Sequence, residues 1–96
     1  MNIIQELSGA NDVALGKVNP LYEELGELAK QIVIQTMIEG EKTHPDKPVD
    51  GWKDMPFEQH VEHINEHVYC AKHRFINEDH IAHALTHCAM IKYLSR

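Results

Sequence analysis

The chain has 96 residues, of which 43% are apolar and 25% charged, as expected of one globular domain with a modest core. Nine basic and fifteen acidic residues give a net charge of −6, which argues against a nucleic-acid backbone as partner. No apolar run approaches the roughly 20 residues of a membrane span, and the first residues lack a signal-peptide pattern, so we expect neither an anchor nor a leader.

The N-terminal third predicts a short helix and link over residues 1–18, followed by a long helix over residues 20–39. Asn19 is a favourable helix cap, and Pro20 suits the first helical position. Gly40 predicts the end of the helix. The apolar face of this helix is formed by Leu21, Leu25, Leu28, Ile32 and Thr36.

The rest of the chain predicts a loop over residues 40–55 and two further helices, over about 57–75 and 78–95. The loop is rich in Pro, Asp and Gly, and Trp52 is its candidate anchor. The second helix has an apolar stripe of Phe57, Val61, Ile64, Val68, Ala71 and Phe75. The third helix opens at Asn77 as its cap and turns inward Ile81, Ala84, Leu85, Cys88 and Ile91.

No segment predicts a strand. We therefore expect one domain over residues 1–96 of the all-α class, a small helical bundle. In it, an antiparallel hairpin of the last two helices packs on the first helix, and the protein dimerises. Cys70 and Cys88 lack metal-type or redox-type pairing, so reduced thiols in a cytosol are the expectation.

Seven of the eight histidines lie between residues 60 and 87, and six of them repeat one spacing. "HVEHINEH" and "HIAHALTH" both contain His-x2-His-x3-His, shifted by twenty residues, which gives two rows of three: His60, His63 and His67, and His80, His83 and His87. On a helical wheel each row lies beside the apolar stripe of its helix. A hairpin relates the two helices by a local twofold axis, so the rows either face each other or both face away. If they face, His60 is level with His87, His63 with His83, and His67 with His80.

Facing rows of imidazoles are typical of a transition-metal site, because histidines three or four residues apart lie on one helix face. The predicted ligands are His60, His63, His67, Asp79, His80, His83 and His87, and the ion is divalent: Zn, Mn or Mg. Nearby carboxylates that could orient the rings or complete the coordination are Glu62, Glu66, Glu78 and Asp79. The alternative is that the rows are a hydrogen-bond ladder or amphipathic filler at half-buried helix margins. His44 and His73 fall outside the rows and are predicted to be surface residues.

Two carboxylate patterns suggest catalysis. "HINEH", from His63 to His67, matches the H-x-x-E-H of inverted zinc peptidases, in which Glu66 would be the general base, although those enzymes need a larger fold. On the first helix, Glu24 and Glu27 are three residues apart, so their carboxylates share a face that could hold Mg²⁺ or Mn²⁺. Acidic residues near a helix N-terminus also suit the helix dipole, which is the simpler explanation of this pair.

The segment "EELGEL" resembles the E-E-x-x-E motif of the all-α MazG-like nucleoside triphosphate pyrophosphatases. The resemblance implies that Glu24 and Glu27 bind a divalent metal for the release of pyrophosphate from (deoxy)nucleotides. The second motif of that family, E-x-x-D on a later helix, is absent, and Glu62-x-x-Asn65 is the nearest approach.

The second half of the chain, residues 51–94, is similar to short proteins of tailed bacteriophages. The similarity rests on a tryptophan turn, a histidine-bearing helix, "EDHIAHAL" and a final helix. The "HIAHA" segment also resembles the H-x-x-HA end of the N-terminal domain of phage-type dATP/dGTP diphosphohydrolases. These resemblances imply a phage-encoded protein in the cytoplasm of a host cell.

Two functions follow from these patterns. The first is a metal-dependent (deoxy)nucleotide phosphohydrolase or pyrophosphatase, acting as a dimer, with Glu66 as base and Glu24 and Glu27 as a second metal seat. Trp52 or Tyr22 would stack on the nucleotide base. The second is a non-enzymatic helical interaction protein, either stapled by metal or responsive to pH. Protonation of all eight histidines would change the net charge from −6 to +2.

Overall fold

Three α-helices and one turn of 3-10 helix make up the part of the chain that the structure, a computed structural model, describes, namely residues 18–96. They are α1 (Pro20–Thr43), the 3-10 turn (Gly51–Asp54), α2 (Phe57–Lys72) and α3 (His80–Ser95). Residues 18–96 contain no strand, and the helices pack on one another, which confirms the all-α prediction. The short helix and link predicted at the N-terminus fall outside the described residues. None of the described helices is both long and apolar enough to cross a membrane.

Helix α1 begins as predicted but ends later. The Asn19 Oδ1 atom accepts a hydrogen bond from the Leu21 backbone N–H at 2.9 Å, and Pro20 occupies the first turn. The predicted end before Gly40 was wrong, because Gly40 keeps a negative φ and continues the helix. The helix ends at Thr43 because His44 precedes Pro45, and a residue before proline is driven out of the helical region.

Helix α2 ends at Lys72, three residues earlier than predicted, in a Schellman motif. The Phe75 N–H bonds to the Cys70 carbonyl at 3.0 Å, and the Arg74 N–H bonds to the Ala71 carbonyl at 3.1 Å. Arg74 takes the left-handed position of this motif, with φ of 60°. This closure reverses the chain and sends it back along α2 as α3.

Helix α3 begins two residues later than predicted, because Asp79 and not Asn77 is its cap. The Asp79 Oδ1 atom accepts a hydrogen bond from the Ala82 N–H at 3.0 Å. Glu78 therefore precedes the helix instead of standing in its first turn. This places the Glu78 side chain on the connection between α2 and α3, where it can turn toward both helices.

Helix α3 lies at the centre of the fold and contacts both α1 and α2. Its buried apolar residues are small, Ala82 and Ala84, since a helix packed on two sides needs short side chains for close approach. The prediction that Ile81 and Cys88 turn inward was wrong, because Ile81 is 62% exposed and Cys88 is exposed. Of the stripe predicted for α2, Val61, Ile64 and Ala71 are half-buried. The other three residues, Phe57, Val68 and Phe75, are exposed, and Phe75 lies beyond the end of the helix.

The 3-10 turn anchors the loop before α2, as the position of Trp52 predicted. Its indole ring packs edge-on against Tyr93 of α3, with ring centroids 5.6 Å apart. Its carbonyl oxygen accepts a hydrogen bond from His60, whose side chain is completely buried. The turn therefore packs against the end of α3 and the start of α2, and its hydrogen bond orients the His60 ring.

Candidate metal centre

The two histidine rows face each other across the interface of α2 and α3. At one end, the Nδ1 atoms of His67 and His80 are 2.9 Å apart, and at the other the Nδ1 atoms of His60 and His87 are 3.0 Å apart. The twenty-residue shift exchanges these two pairs, since it carries His60 to His80 and His67 to His87. The pseudo-twofold relation expected from the sequence repeat is thus present in the side-chain contacts.

The middle histidines obey the same relation but are offset from direct pairing. His63 stacks on His87, with centroids 4.9 Å apart and planes 12° apart. Its counterpart His83 contacts His67 at the same centroid distance of 4.9 Å. The six imidazoles therefore form one continuous cluster, in which His63 and His83 each pack against a member of an end pair.

One end of this cluster gathers three ligand atoms, from His67, Glu78 and His80. The Glu78 Oε1 atom is 3.5 Å from the Nδ1 atom of His67 and 3.4 Å from that of His80. An ion with tetrahedral bonds of about 2.0–2.2 Å separates its ligands by about 3.3–3.6 Å. The two distances to the Glu78 oxygen, 3.4 and 3.5 Å, match the edges of such a tetrahedron, and the third, 2.9 Å between the two Nδ1 atoms, is shorter by about 0.4 Å.

The orientation of His80 is set by Asn77. The Asn77 Oδ1 atom lies 3.0 Å from His80 Nε2 and is an acceptor, so Nε2 carries the ring proton. The Nδ1 atom of neutral His80 then presents a lone pair toward His67 and Glu78. An outer hydrogen bond of this kind is the usual means by which a protein fixes the tautomer of a metal-ligating histidine.

The opposite end of the cluster has the same arrangement around His60. The Trp52 carbonyl oxygen lies 3.0 Å from His60 Nε2 and can only accept, so the ring proton of neutral His60 resides on Nε2. The Nδ1 lone pair therefore points at His87. Both fully or nearly fully buried histidines, His60 and His80, thus have one nitrogen fixed by a protein oxygen and one directed at the other helix.

The cluster lowers the pKa of two of its histidines, His67 and His87. Burial, followed by the positive charges that His63, His60 and other neighbours would carry, lowers the pKa of His87 to about 4. Burial and His83 lower the pKa of His67, and the Glu78 carboxylate partly opposes them. Neutral imidazole is the form that binds metal, so near pH 7 these rings do not need to lose a cationic proton first.

The remaining carboxylates predicted near the rows stand apart from the three-ligand group. The Asp79 carboxylate caps α3, and Glu66 is largely exposed, its Oε2 atom 4.0 Å from His63 Nδ1. Glu62 is exposed on α2. Of the four candidates, Glu78 is therefore the one whose oxygen comes within reach of two histidine nitrogens.

The predicted acidic pair is not part of the three-ligand group, and the two predicted stacking residues differ in their surroundings. Glu24 and Glu27 are exposed on α1, and within residues 18–96 neither belongs to a close group of three ligand atoms. Tyr22 is 68% exposed in the first turn of α1. Trp52, by contrast, lines a cavity of about 240 Å³ that also contacts His83 and His87.

Sequence patterns indicated the histidines but missed the groups that position them. Asn77 was interpreted as a helix cap, and the Trp52 carbonyl has no sequence signature at all. Glu78 was one of four carboxylates in range, and nothing in the spacing distinguished it. The one available signal was Asp79, which is as suitable a helix cap as Asn77. With Asp79 as the cap, Glu78 lies before the helix, and its side chain is not held on a helix face.

No protein-family model, no curated protein and no solved structure matches this chain.

Proposed function

We propose that this chain is a helical metal-binding protein in which His67, Glu78 and His80 hold one transition-metal ion between α2 and α3. The proposal rests on one observation, the triangle of two Nδ1 atoms and one carboxylate oxygen with edges of 2.9, 3.4 and 3.5 Å. Two imidazoles and one carboxylate are a known donor set for zinc. Zinc is therefore the preferred ion, ahead of manganese or magnesium, which favour oxygen ligands.

The composition of the interior favours a structural role for this ion. The side chains of His67 and His80 are 14% and 6% exposed, so the ion would replace direct imidazole contacts inside the helix interface. The buried apolar residues of the described chain are two alanines, and the largest fully buried side chain is a histidine. An ion that joins α2 to α3 would supply stability that so small an apolar core does not.

The test is metal analysis of protein purified without a histidine tag, combined with thermal unfolding with and without a chelator. We expect a bound ion and a lower melting temperature in the chelator. Glu78→Gln removes the ligand charge but keeps the side-chain shape, and it should weaken zinc binding by at least about tenfold. Glu66→Gln is the matched control, because Glu66 is an exposed carboxylate outside the triangle. Equal zinc affinity of the two variants would contradict the proposal.

A second candidate function is hydrolysis of (deoxy)nucleotides at the same ion. It is favoured by the 40% exposure of the Glu78 side chain, since three protein ligands leave a fourth position and that side of the site is open to solvent. Water at that position would be acidified by the ion, and substrate phosphoryl oxygens would be polarised. Glu66 is the proposed base, with Glu24 and Glu27 as a proposed second metal seat and Trp52 or Tyr22 against the nucleotide base.

Turnover separates the two functions. The metal-loaded protein is incubated with deoxynucleoside triphosphates and Mg²⁺, Mn²⁺ or Zn²⁺, and released pyrophosphate is measured. Turnover that is lost in Glu78→Gln would support the hydrolase. A bound ion that raises the melting temperature, without turnover, would support the structural role alone.

A further inference from the structure

We infer that His60 and His87 form a second transition-metal site, separate from His67, Glu78 and His80, with open coordination positions on the side of the cavity between α1, the 44–52 loop and α3. Its ions are those that prefer imidazole, such as Zn²⁺, Co²⁺, Ni²⁺ or Cu²⁺. The ligand that completes it is water or a small molecule with a nitrogen or oxygen donor.

The geometry of the pair carries this inference. The Nδ1 atoms of His60 and His87 are 3.0 Å apart, which for bonds of about 2.0–2.1 Å gives an angle of about 90–97° at the ion, as between neighbouring ligands in octahedral or square-planar coordination. The Trp52 carbonyl holds the proton of His60 on Nε2, so the Nδ1 lone pair is already directed at His87. His87 alone has to move its proton to Nε2 for both lone pairs to meet at one point.

The internal twofold relation supplies independent support. The pair His60–His87 is the image of His80–His67 under the twenty-residue shift, with the same atoms in contact and an orienting oxygen on the same nitrogen of the buried ring. The ring centroids of His67 and His87 are 6.3 Å apart, so the two pairs are distinct neighbours within one cluster. If one half of a twofold arrangement binds an ion through such a pair, the other half has the same two donors.

The two ends differ in their carboxylate. Glu58 precedes His60 by two residues, as Glu78 precedes His80, but Glu58 lies within the first turn of α2. Residues two apart in a helix point to different faces, and Glu58 is exposed while His60 is buried. Among residues 18–96, no carboxylate joins His60 and His87 in a close group of three ligand atoms, so water or a small molecule supplies the third ligand in this proposal.

The cavity provides the route for that ligand. It has a volume of about 240 Å³, and its wall includes His87, His83, Trp52 and Met90. The exposed surface of the wall is mostly apolar, although Glu41, Lys47 and other polar side chains also line it beside the imidazoles. A small molecule with one donor atom and an apolar body fits this chemistry.

The test follows individual imidazole nitrogens during metal titration. Full-length untagged protein with ¹⁵N-labelled histidine is titrated with Zn²⁺, and two-bond N–H correlations report the state of each ring. We expect Nδ1 of His67 and His80 to shift with one equivalent of zinc and Nδ1 of His60 and His87 to shift with another. Saturation at one equivalent, with His60 and His87 unchanged, would overturn the second site and leave the first intact.

Variants separate the two sites. His87→Gln should remove the second equivalent and retain the first, whereas Glu78→Gln should weaken the first and retain the second. His73→Gln, an exposed histidine outside the rows, is the control and should keep both. A shift of His60 and His87 without any at His67 and His80 would support this inference and contradict the proposed function. If neither pair shifts, both are wrong.

The open position is tested with Co²⁺ in the Glu78→Gln variant, with imidazole as the probe ligand. We expect imidazole to change the visible spectrum of the cobalt-loaded variant, since it would take a free position on the ion. An unchanged spectrum would overturn the open coordination.

Discussion

Each buried histidine of the cluster has two neighbours with different roles. For His80 they are the Asn77 side-chain oxygen and the Nδ1 atom of His67, and for His60 they are the Trp52 carbonyl and the Nδ1 atom of His87. The oxygen in each case fixes where the ring proton resides, and this leaves a lone pair directed across the helix interface. The proposed metal sites would thus depend on oxygen atoms that are not themselves ligands of the ion.

The role of Asp79 can be tested by two substitutions. Asp79→Ala removes the cap on the Ala82 N–H and should lower the free energy of unfolding by about 1 kcal/mol. Asp79→Asn keeps a capping oxygen and should leave the free energy of unfolding within a few tenths of a kcal/mol of that of the unaltered chain. Urea unfolding measures both.

The same pair of variants tests the predicted ligand role of Asp79. If this carboxylate only caps the helix, Asp79→Asn will bind zinc as tightly as the unaltered chain. A loss of zinc affinity without a loss of stability would instead make Asp79 a ligand.

The lowered pKa values of His67 and His87 predict how the stability of the metal-free protein depends on pH. The unfolded chain titrates near the ordinary value of 6.5, and folded His87 titrates at about 4. Between these values the unfolded state binds more protons, so the free energy of unfolding should rise with pH. Above about pH 6.5 both states are neutral at His87 and the effect is absent, whereas below this pH the folded state is increasingly destabilised until His87 itself is protonated at about pH 4.

Urea midpoints measured in chelator between pH 4 and pH 8 test this dependence. His87→Gln should flatten the rise, whereas His73→Gln should leave it unchanged. A rise of the same size in the His87→Gln variant would show that other groups cause it.

At the element scale, the Schellman motif that ends α2 and begins the connection to α3 places Arg74 in an unfavourable backbone conformation. Arg74 occupies the left-handed position at the end of α2, with φ of 60°, where glycine is the favoured residue. The hydrogen bonds of Phe75 and Arg74 to the last turn require this conformation. The hairpin that brings the histidine rows together therefore contains a backbone conformation that is unfavourable for the arginine that adopts it.

Arg74→Gly should raise the free energy of unfolding by about 0.5–1 kcal/mol, because it removes the left-handed penalty, partly offset by the greater freedom of glycine in the unfolded chain. Arg74→Ala is the matched control, since it removes the same charge and keeps the β-carbon. Thermal unfolding compares them. Equal stabilisation by both substitutions would mean that the charge, and not the conformation, is responsible.

At the scale of the whole molecule, residues 18–96 bury several polar side chains and expose many large apolar ones. His60 is fully buried, whereas Leu21, Leu25 and Leu28 on the first half of α1 are between 53% and 66% exposed. These leucines share one helix face, and Tyr22 beside them is 68% exposed. An apolar face of this kind is typical of a surface that another chain covers.

The predicted dimer is tested by substituting that face. Leu25→Glu places a charge at its middle and should convert a dimer to a monomer in light scattering at micromolar concentration. Glu24→Gln, a neighbouring exposed position, should leave the mass unchanged. A monomeric mass for the unaltered chain would contradict the dimer.

Much of the fold could be predicted because its signals are local. The Asn19 cap, the helical apolar periods of α1 and α2 and the absence of strand patterns depend on neighbouring residues alone. The errors occurred where two local signals compete. Gly40 stays within α1 because the His44-Pro45 pair ends the helix, and Asp79 caps α3 although Asn77 has an equally suitable side chain.

The sequence by itself determined that two equivalent histidine rows exist, since a repeated spacing on two helices places each row on one face. It also required the rows to obey a twofold relation if the helices form a hairpin. Only the tertiary structure decided that they face inward, that Glu78 and not another carboxylate reaches them, and that the Trp52 carbonyl and Asn77 orient the buried rings. These contacts join residues on different elements or on the connection between them, and the direction of a side chain there depends on how the helices pack, which helical periodicity does not encode.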